Sequence, residues 1–180
     1  MPEIKKVLDN LKSKLDENFS RLDPDGLIGR DGTVLREKCI FNPPAKEEDI
    51  RSLEKELGIK VPQDYREFLL LHNGMTLFKS YLMEFKFFSL DEIREGFKDV
   101  QEFKKEEDLK TTKDYPIGEF QDVGYIMVDA HKLKKHSSQG AIYVGHIMPE
   151  ATEESFVTFV ENVIENTGEL FWEDSNLPEY

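Results

Sequence analysis

The residues of this chain that could do chemistry are four histidines, one cysteine and a large surplus of carboxylates. His131, His136 and His146, with Asp129, would suit zinc or iron if one sheet edge gathered them. His131 and His136, however, lie five positions apart in a lysine-rich turn, which matches neither the i, i+4 pair of a helix nor the i, i+2 pair of a strand. His72 precedes Asn73-Gly74 at a predicted helix end, where it can bond the last carbonyls. Asp23, Asp25 and Asp31 invite calcium, but the D-x-D-x-D-G spacing and the closing bidentate Glu are absent. Cys39 has no intrachain partner for a disulfide and reads as a small apolar residue beside Ile40 and Phe41. Carboxylates are so numerous that some pair will be close whatever the function, so proximity does not argue for acid–base work. Neither G-x-S-x-G nor a glycine-rich phosphate loop is present. The expectation is no catalytic residue, no metal and no cofactor, with a metal-dependent or small-molecule enzyme as the weakest alternative.

Charge bears on partners. Lys and Arg number 24 against 37 Asp and Glu, a net charge of −13, which repels phosphate backbones and anionic membranes and attracts basic proteins. No nucleic acid and no membrane partner is expected. The 180 residues suit one core, and 13 Phe, 6 Tyr and 1 Trp exclude a wholly disordered chain. The charged N-terminus lacks the apolar stretch of a signal peptide, and no run approaches the roughly 18 apolar residues of a membrane span, so a cytoplasmic protein is expected.

The elements follow from periodicity. Ile4, Val7, Leu8, Leu11, Leu15 and Phe19 make one stripe on an amphipathic helix over residues 3–19, and a loop of Asp-Pro and Asp-Gly turns follows. Leu35 to Phe41 reads as a short strand stopped by Pro43-Pro44. Lys46 to Leu57 is a helix with Ile50, Leu53 and Leu57 inward, acids in its first turn and Gly58 as its stop. Tyr65, Phe68, Leu69 and His72 mark a second helix after the stiff joint at Val61-Pro62. Further on come a strand at Glu84 to Phe88 and a helix capped by Ser89 and ending about Phe103. Strands are read at Ile117 to Phe120, Tyr125 to Asp129 and Ala141 to His146, and a last helix carries Phe156, Phe159, Val160, Val163 and Ile164.

The stretch Phe41 to Gly74, FNPPAKEEDIRSLEKELGIKVPQDYREFLLLHNG, resembles the N-terminal signature of the SUKH superfamily, the Smi/Knr family. The resemblance rests on Pro44, Ile50, Leu53-Glu54, Leu57-Gly58-Ile59, Val61-Pro62, Tyr65, Phe68-Leu69 and Asn73-Gly74 in the family's order and spacing. PIGEFQDVGYIMVD, GAIYVGH and EESFVTFVENVI match later parts more loosely, and Met75-Thr76-Leu77 stands where the family has an acidic or Gly-rich turn. What the resemblance implies is an α+β fold, helices packed against a mixed, mainly antiparallel sheet, with Glu54, Leu57, Gly58, Pro62, Tyr65, Phe68, Leu69, Asn73 and Gly74 structural. Residues 1–40 match no motif and read as a helix and loop extension packing on a domain of residues 41–180.

Bacterial members of that family are mostly immunity proteins that neutralise a cognate polymorphic toxin, often a nuclease, and fungal members are signalling scaffolds. The resemblance thus implies a protein partner, a basic toxin domain, with an endogenous interaction or scaffold role as the alternative. A monomer or weak homodimer is expected. The partner surface is read at the loop and strand residues Glu119, Gln121, Asp122, Tyr125 and Asp129, whose acids neither cap helices nor pair locally. Glu150, Glu153 and Glu154, before and within the first turn of the last helix, extend the acidic field. Tyr125 or Trp172 would be the aromatic anchor, although alternation could equally bury either.

Overall fold

The computed structural model describes residues 3–19, 27–28, 34–35, 38–79, 84–110, 112–120, 124–133, 137–145, 150–166, 168 and 171. Helix α1 (Glu3–Phe19) is followed by a small antiparallel ladder of β1 (Leu27–Ile28) and β2 (Val34–Leu35). The main sheet has seven strands in chain order: β3 (Lys38–Phe41), β4 (Met75–Lys79), β5 (Phe85–Phe87), β6 (Tyr115–Phe120), β7 (Gly124–Val128), β8 (Ile142–Val144) and β9 (Glu150–Glu154). Helices α2 (Glu47–Leu57) and α3 (Gln63–Leu71) lie between β3 and β4, α4 (Leu90–Glu106) between β5 and β6, and α5 (Phe156–Glu165) after β9. The fold is α+β, and every neighbouring pair in the sheet is antiparallel rather than mixed.

Strand alternation splits the sheet into two faces with different jobs. The inner face is aromatic: Phe87 meets Phe68 of α3 and Phe156 of α5, while Phe85 meets Phe159 of α5. Ile126, Val128, Ile142 and Val144 join the same buried core. Outside α3 and α5 lies α1, whose Ile4, Leu8 and Leu11 are buried in that core as well. On the outer face α4 crosses β6, with Gly96 so close to Pro116 and Phe88 that a methyl group there would collide with the proline ring. Among the described residues no helix is long and apolar enough to cross a membrane.

Local chemistry explains the helix ends. Gly58 stops α2 in the left-handed region at φ 65°, and Ser89 and Glu92 cap α4 reciprocally, each side chain accepting from the other's backbone N–H. Ser155 caps α5 by accepting from the Thr158 N–H, and the helix starts at Phe156. Because the cap sits there, Glu150, Glu153 and Glu154 belong to β9 and not to a helical first turn. That corrects the sequence reading, which had no apolar alternation in EATEE to reveal an edge strand. Likewise Met75-Thr76-Leu77 is no turn but the start of β4, whose alternation is broken after three residues by buried Phe78 at φ 54°.

His72 does not bond the end of its own helix with its side chain, as its position suggested. Its Nδ1 lies 2.8 Å from the Asn42 carbonyl and its Nε2 2.8 Å from Lys12 Nζ on α1. A carbonyl only accepts and an ammonium only donates, so the ring is the neutral tautomer with the proton on Nδ1. Lys12 also sits over the Phe41 ring at 4.6 Å, which ties α1 to β3. Burial, helped by the Lys12 charge, holds the His72 pKa below its ordinary value despite the Asn42 carbonyl. The folded state therefore binds this proton more weakly than the unfolded chain. The stability it contributes is present above the ordinary histidine value of about 6.5 and is lost as pH falls below it. Urea midpoints at successive pH values should fall on acidification in the wild type and less in His72→Gln. The ring is only half-buried and water screens it, so the loss stays under about 1 kcal/mol.

Candidate functional site

The family-type residues build the joint between α2 and α3. Glu54 Oε1 accepts the Val61 N–H at 2.9 Å, and its Oε2 pairs with Arg66 Nη2 at 2.6 Å. Arg66 Nη1 reaches Glu47 at 2.8 Å, and Arg51 meets the same carboxylate at 2.8 Å. A cleft of about 510 Å³ opens beside them, bounded by Lys60, Gln63 and Leu133, but its half-buried charges Glu47, Glu54 and Arg66 are spent on one another. Tyr65 donates its hydroxyl to the Phe88 carbonyl at 3.2 Å, and Asn73 Oδ1 accepts the Leu90 N–H at 2.9 Å. Gly74, at φ 93°, leaves no room for a Cβ against the Phe87 carbonyl and the Ser89 nitrogen. Leu57, Phe68 and Leu69 are buried, and Pro62 opens α3. These side chains lock helices to the sheet.

The outer face offers a second concavity. Val100 and Phe103 of α4 face Tyr125 and Met127 of β7 and Tyr143 of β8 across a groove of about 320 Å³. Met127 is paired directly with Tyr143, and Tyr125 with Glu119 of β6. Glu119 is in turn opposite Lys86 of β5, 3.7 Å away, but Lys86 is closer to Glu92, at 2.7 Å. Tyr125 is half-buried with its ring edge-on to Phe88 at 6.0 Å. Burial raises its hydroxyl pKa, and the charges of Asp99 and Glu119 raise it further. Tyr143 is driven up more strongly by burial, then by Asp114 and Asp129, and its hydroxyl hydrogen-bonds Asp114. Lys104 enters from α4 but is held by Thr112 Oγ1 at 2.6 Å and Asp114 at 3.9 Å.

Of the residues read as a partner surface, Glu119 and Tyr125 are thus brought side by side. Asp129 lies beyond the end of β7, where its Oδ1 accepts the N–H groups of His131 and Lys132 at 2.9 and 3.2 Å. It closes a turn, and with the Glu119–Lys86 contact this departs from the expectation that these acids have no local partners. Glu154, at the end of β9, receives the Asn162 amide at 2.8 Å on Oε1, while its Oε2 is buried without a partner and burial raises its pKa. Glu150 and Glu153 share that strand. Gln121, Asp122, His136, His146, Trp172, Asp23, Asp25 and Asp31 lie outside the described residues. Cys39 is half-buried in β3 against the core, and His131 is exposed. Among the described residues no group of three His, Cys, Asp or Glu is placed to hold a metal ion.

Tyr143, Met127 and the α4 wall were not singled out by sequence. The signal was there in GYIMV and AIYVG, where Tyr125, Met127 and Tyr143 alternate with the inward Ile126, Val128, Ile142 and Val144. What the pattern does not carry is that α4 lies above those rows.

Comparison with known proteins bears on the helix joint and the sheet together. Residues 44–165 match the SMI1 / KNR4 family (SUKH-1). The uncharacterized protein YobM of Bacillus subtilis (strain 168) is 27% identical over 179 residues, covering 94% of this chain and 91% of the relative. The uncharacterized protein YnaB of the same organism is 31% identical over 145 residues, covering 78% of this chain and 91% of the relative. With the match running from Pro44 before α2 to Glu165 at the end of α5, the chain belongs to the SMI1 / KNR4 family (SUKH-1).

Proposed function

We propose that this protein is a non-enzymatic binding module of the immunity type, which neutralises a basic toxin domain by covering it with an acidic surface. The observation that carries this reading is the outer face of the sheet, where half-buried aromatic rings are surrounded by carboxylates. Tyr125 stands opposite Glu119 and within the field of Asp99, and Tyr143 within that of Asp114 and Asp129. Aromatic rings ringed by charge are what a desolvated anchor with a polar rim requires. A nuclease must present Lys and Arg to phosphates, and a chain of net charge −13 attracts those same groups. Family membership supports the reading through the immunity role that the resemblance implies for bacterial members. Gln121 and Asp122, next to Glu119 in sequence, are proposed as part of that surface together with Asp129, Glu150, Glu153 and Trp172, whereas Glu154 is turned to Asn162 of α5 on the inner face.

The test is to look for a toxin gene next to this chain's gene and, with the basic domain it encodes, to measure association kinetics at low and at physiological salt. Glu119→Lys combined with Asp122→Lys should slow association about tenfold at low salt and less at high salt, with thermal midpoint unchanged. An unaffected on-rate places the partner surface elsewhere. A stable complex with an endogenous, non-toxin protein at that face instead supports the scaffold role.

A further inference from the structure

We infer that the groove between α4 and the outer face of β7 and β8 seats an arginine side chain of the partner. This rests on the protein-binding reading above and names the chemistry by which that surface grips. The walls come first: Val100, Phe103 and Met127 are apolar, and Tyr125 and Tyr143 add two aromatic rings, within about 320 Å³. That volume is at the small end of ligand sites, fit for one side chain rather than a helix or a strand. Such walls suit an alkyl stem and a flat, weakly hydrated cation that stacks on rings, which describes guanidinium better than ammonium.

Charge complementarity fixes the sign of the occupant. Asp99 lines the groove, Glu119 is paired with Tyr125 and Asp114 faces Lys104 of the α4 wall, and with Asp129 these acids act on the Tyr125 and Tyr143 hydroxyls, so the groove lies in a negative field. The cation already there, Lys104, is bonded to Thr112 and faces Asp114, so it offsets one of the four acids. Lys86, 3.7 Å from Glu119, offsets part of a second, and an anionic occupant would still meet the rest. The Tyr143 hydroxyl is committed to Asp114, which leaves exposed Asp99, on the α4 side, as the carboxylate best placed for a guanidinium fork.

The experiment is an NMR titration of the full-length ¹⁵N-labelled chain with N-acetyl-arginine amide, with the citrulline and lysine analogues as probes of charge and of shape. Saturable shifts are expected at the amides of residues 99–104, 125–128 and 142–145, with citrulline binding at least about fivefold more weakly and lysine in between. Asp99→Asn, an exposed change, should weaken the arginine probe about two- to fivefold, as for other exposed charge pairs. Tyr143→Phe provides a second variant that keeps the ring. Its loss of the hydroxyl should alter the affinity while the amide spectrum shows the fold retained. Non-saturating shifts scattered over surface acids, equal binding of citrulline or of lysine, or indifference to both variants would overturn the assignment. The protein-binding reading would then stand or fall separately, on the association kinetics of the Glu119 and Asp122 variant.

Discussion

Replacing Phe68 by alanine should lower stability by about 3–5 kcal/mol, the usual cost of removing a buried aromatic ring and leaving a cavity. Phe68 has no solvent exposure and its ring lies 5.3 Å from Phe156, 5.7 Å from Tyr65 and 6.3 Å from Phe87. It therefore joins α3 to α5 and to the centre of the sheet at once, and no single neighbour can collapse into its place. Against a total of about 5–15 kcal/mol for an ordinary domain, this is a large share. In urea the midpoint should drop with the slope unchanged, because the surface exposed on unfolding is nearly the same. An unaltered midpoint would mean that this face is not core. Phe68→Leu, which keeps much of the volume, should recover part of the loss and separates cavity formation from loss of ring contacts.

Deleting residues 1–19 should have an effect of comparable size. Ile4, Leu8 and Leu11 are 0%, 1% and 4% exposed, and their removal uncovers the outward sides of α3 and α5. Three such side chains contribute roughly 5–9 kcal/mol of apolar burial, an upper figure. The entropy of ordering a helix offsets much of it, leaving a net loss of at least about 2 kcal/mol. The truncated chain should unfold at lower urea and bind a hydrophobic dye through the uncovered face. Leu8→Asp in the full chain should reproduce both, since it puts a charge where no water reaches. A truncated chain as stable as the whole one would instead make α1 a segment free to dock on another molecule.

How much of this was legible beforehand depended on whether the cause was local. The helices α2, α3, α4 and α5 announce themselves through three- and four-residue stripes and, for α2 and α4, through Gly58 and Ser89, whose effect reaches no further than one turn, whereas the Ser155 cap of α5 went unread. β4 and β9 were hidden because their alternation is short or polar, and they become strands only by pairing with neighbours far along the chain. Glu119 and Tyr125 could be named from sequence as candidates. That they face each other across the β6–β7 ladder, under the flank of α4, is a fact of register and layer order. Asp129 was misjudged for the opposite reason. Its partners are the backbone N–H groups two and three residues on, a turn so local that no apolar pattern marks it.

The two-faced sheet has a consequence for how such a protein changes over generations. On β7 and β8 each groove residue is flanked by core residues whose side chains point the other way, Tyr125 beside Ile126 and Tyr143 between Ile142 and Val144. A mutation at Tyr143 changes the outer surface with little effect on the inner packing, while one at Tyr125 also loosens its contact with buried Phe88. A mutation one position away does the reverse. Under the binding role proposed above, recognition and foldability are thus written in alternate letters of the same strands, so one set can change while the other keeps the chain folded.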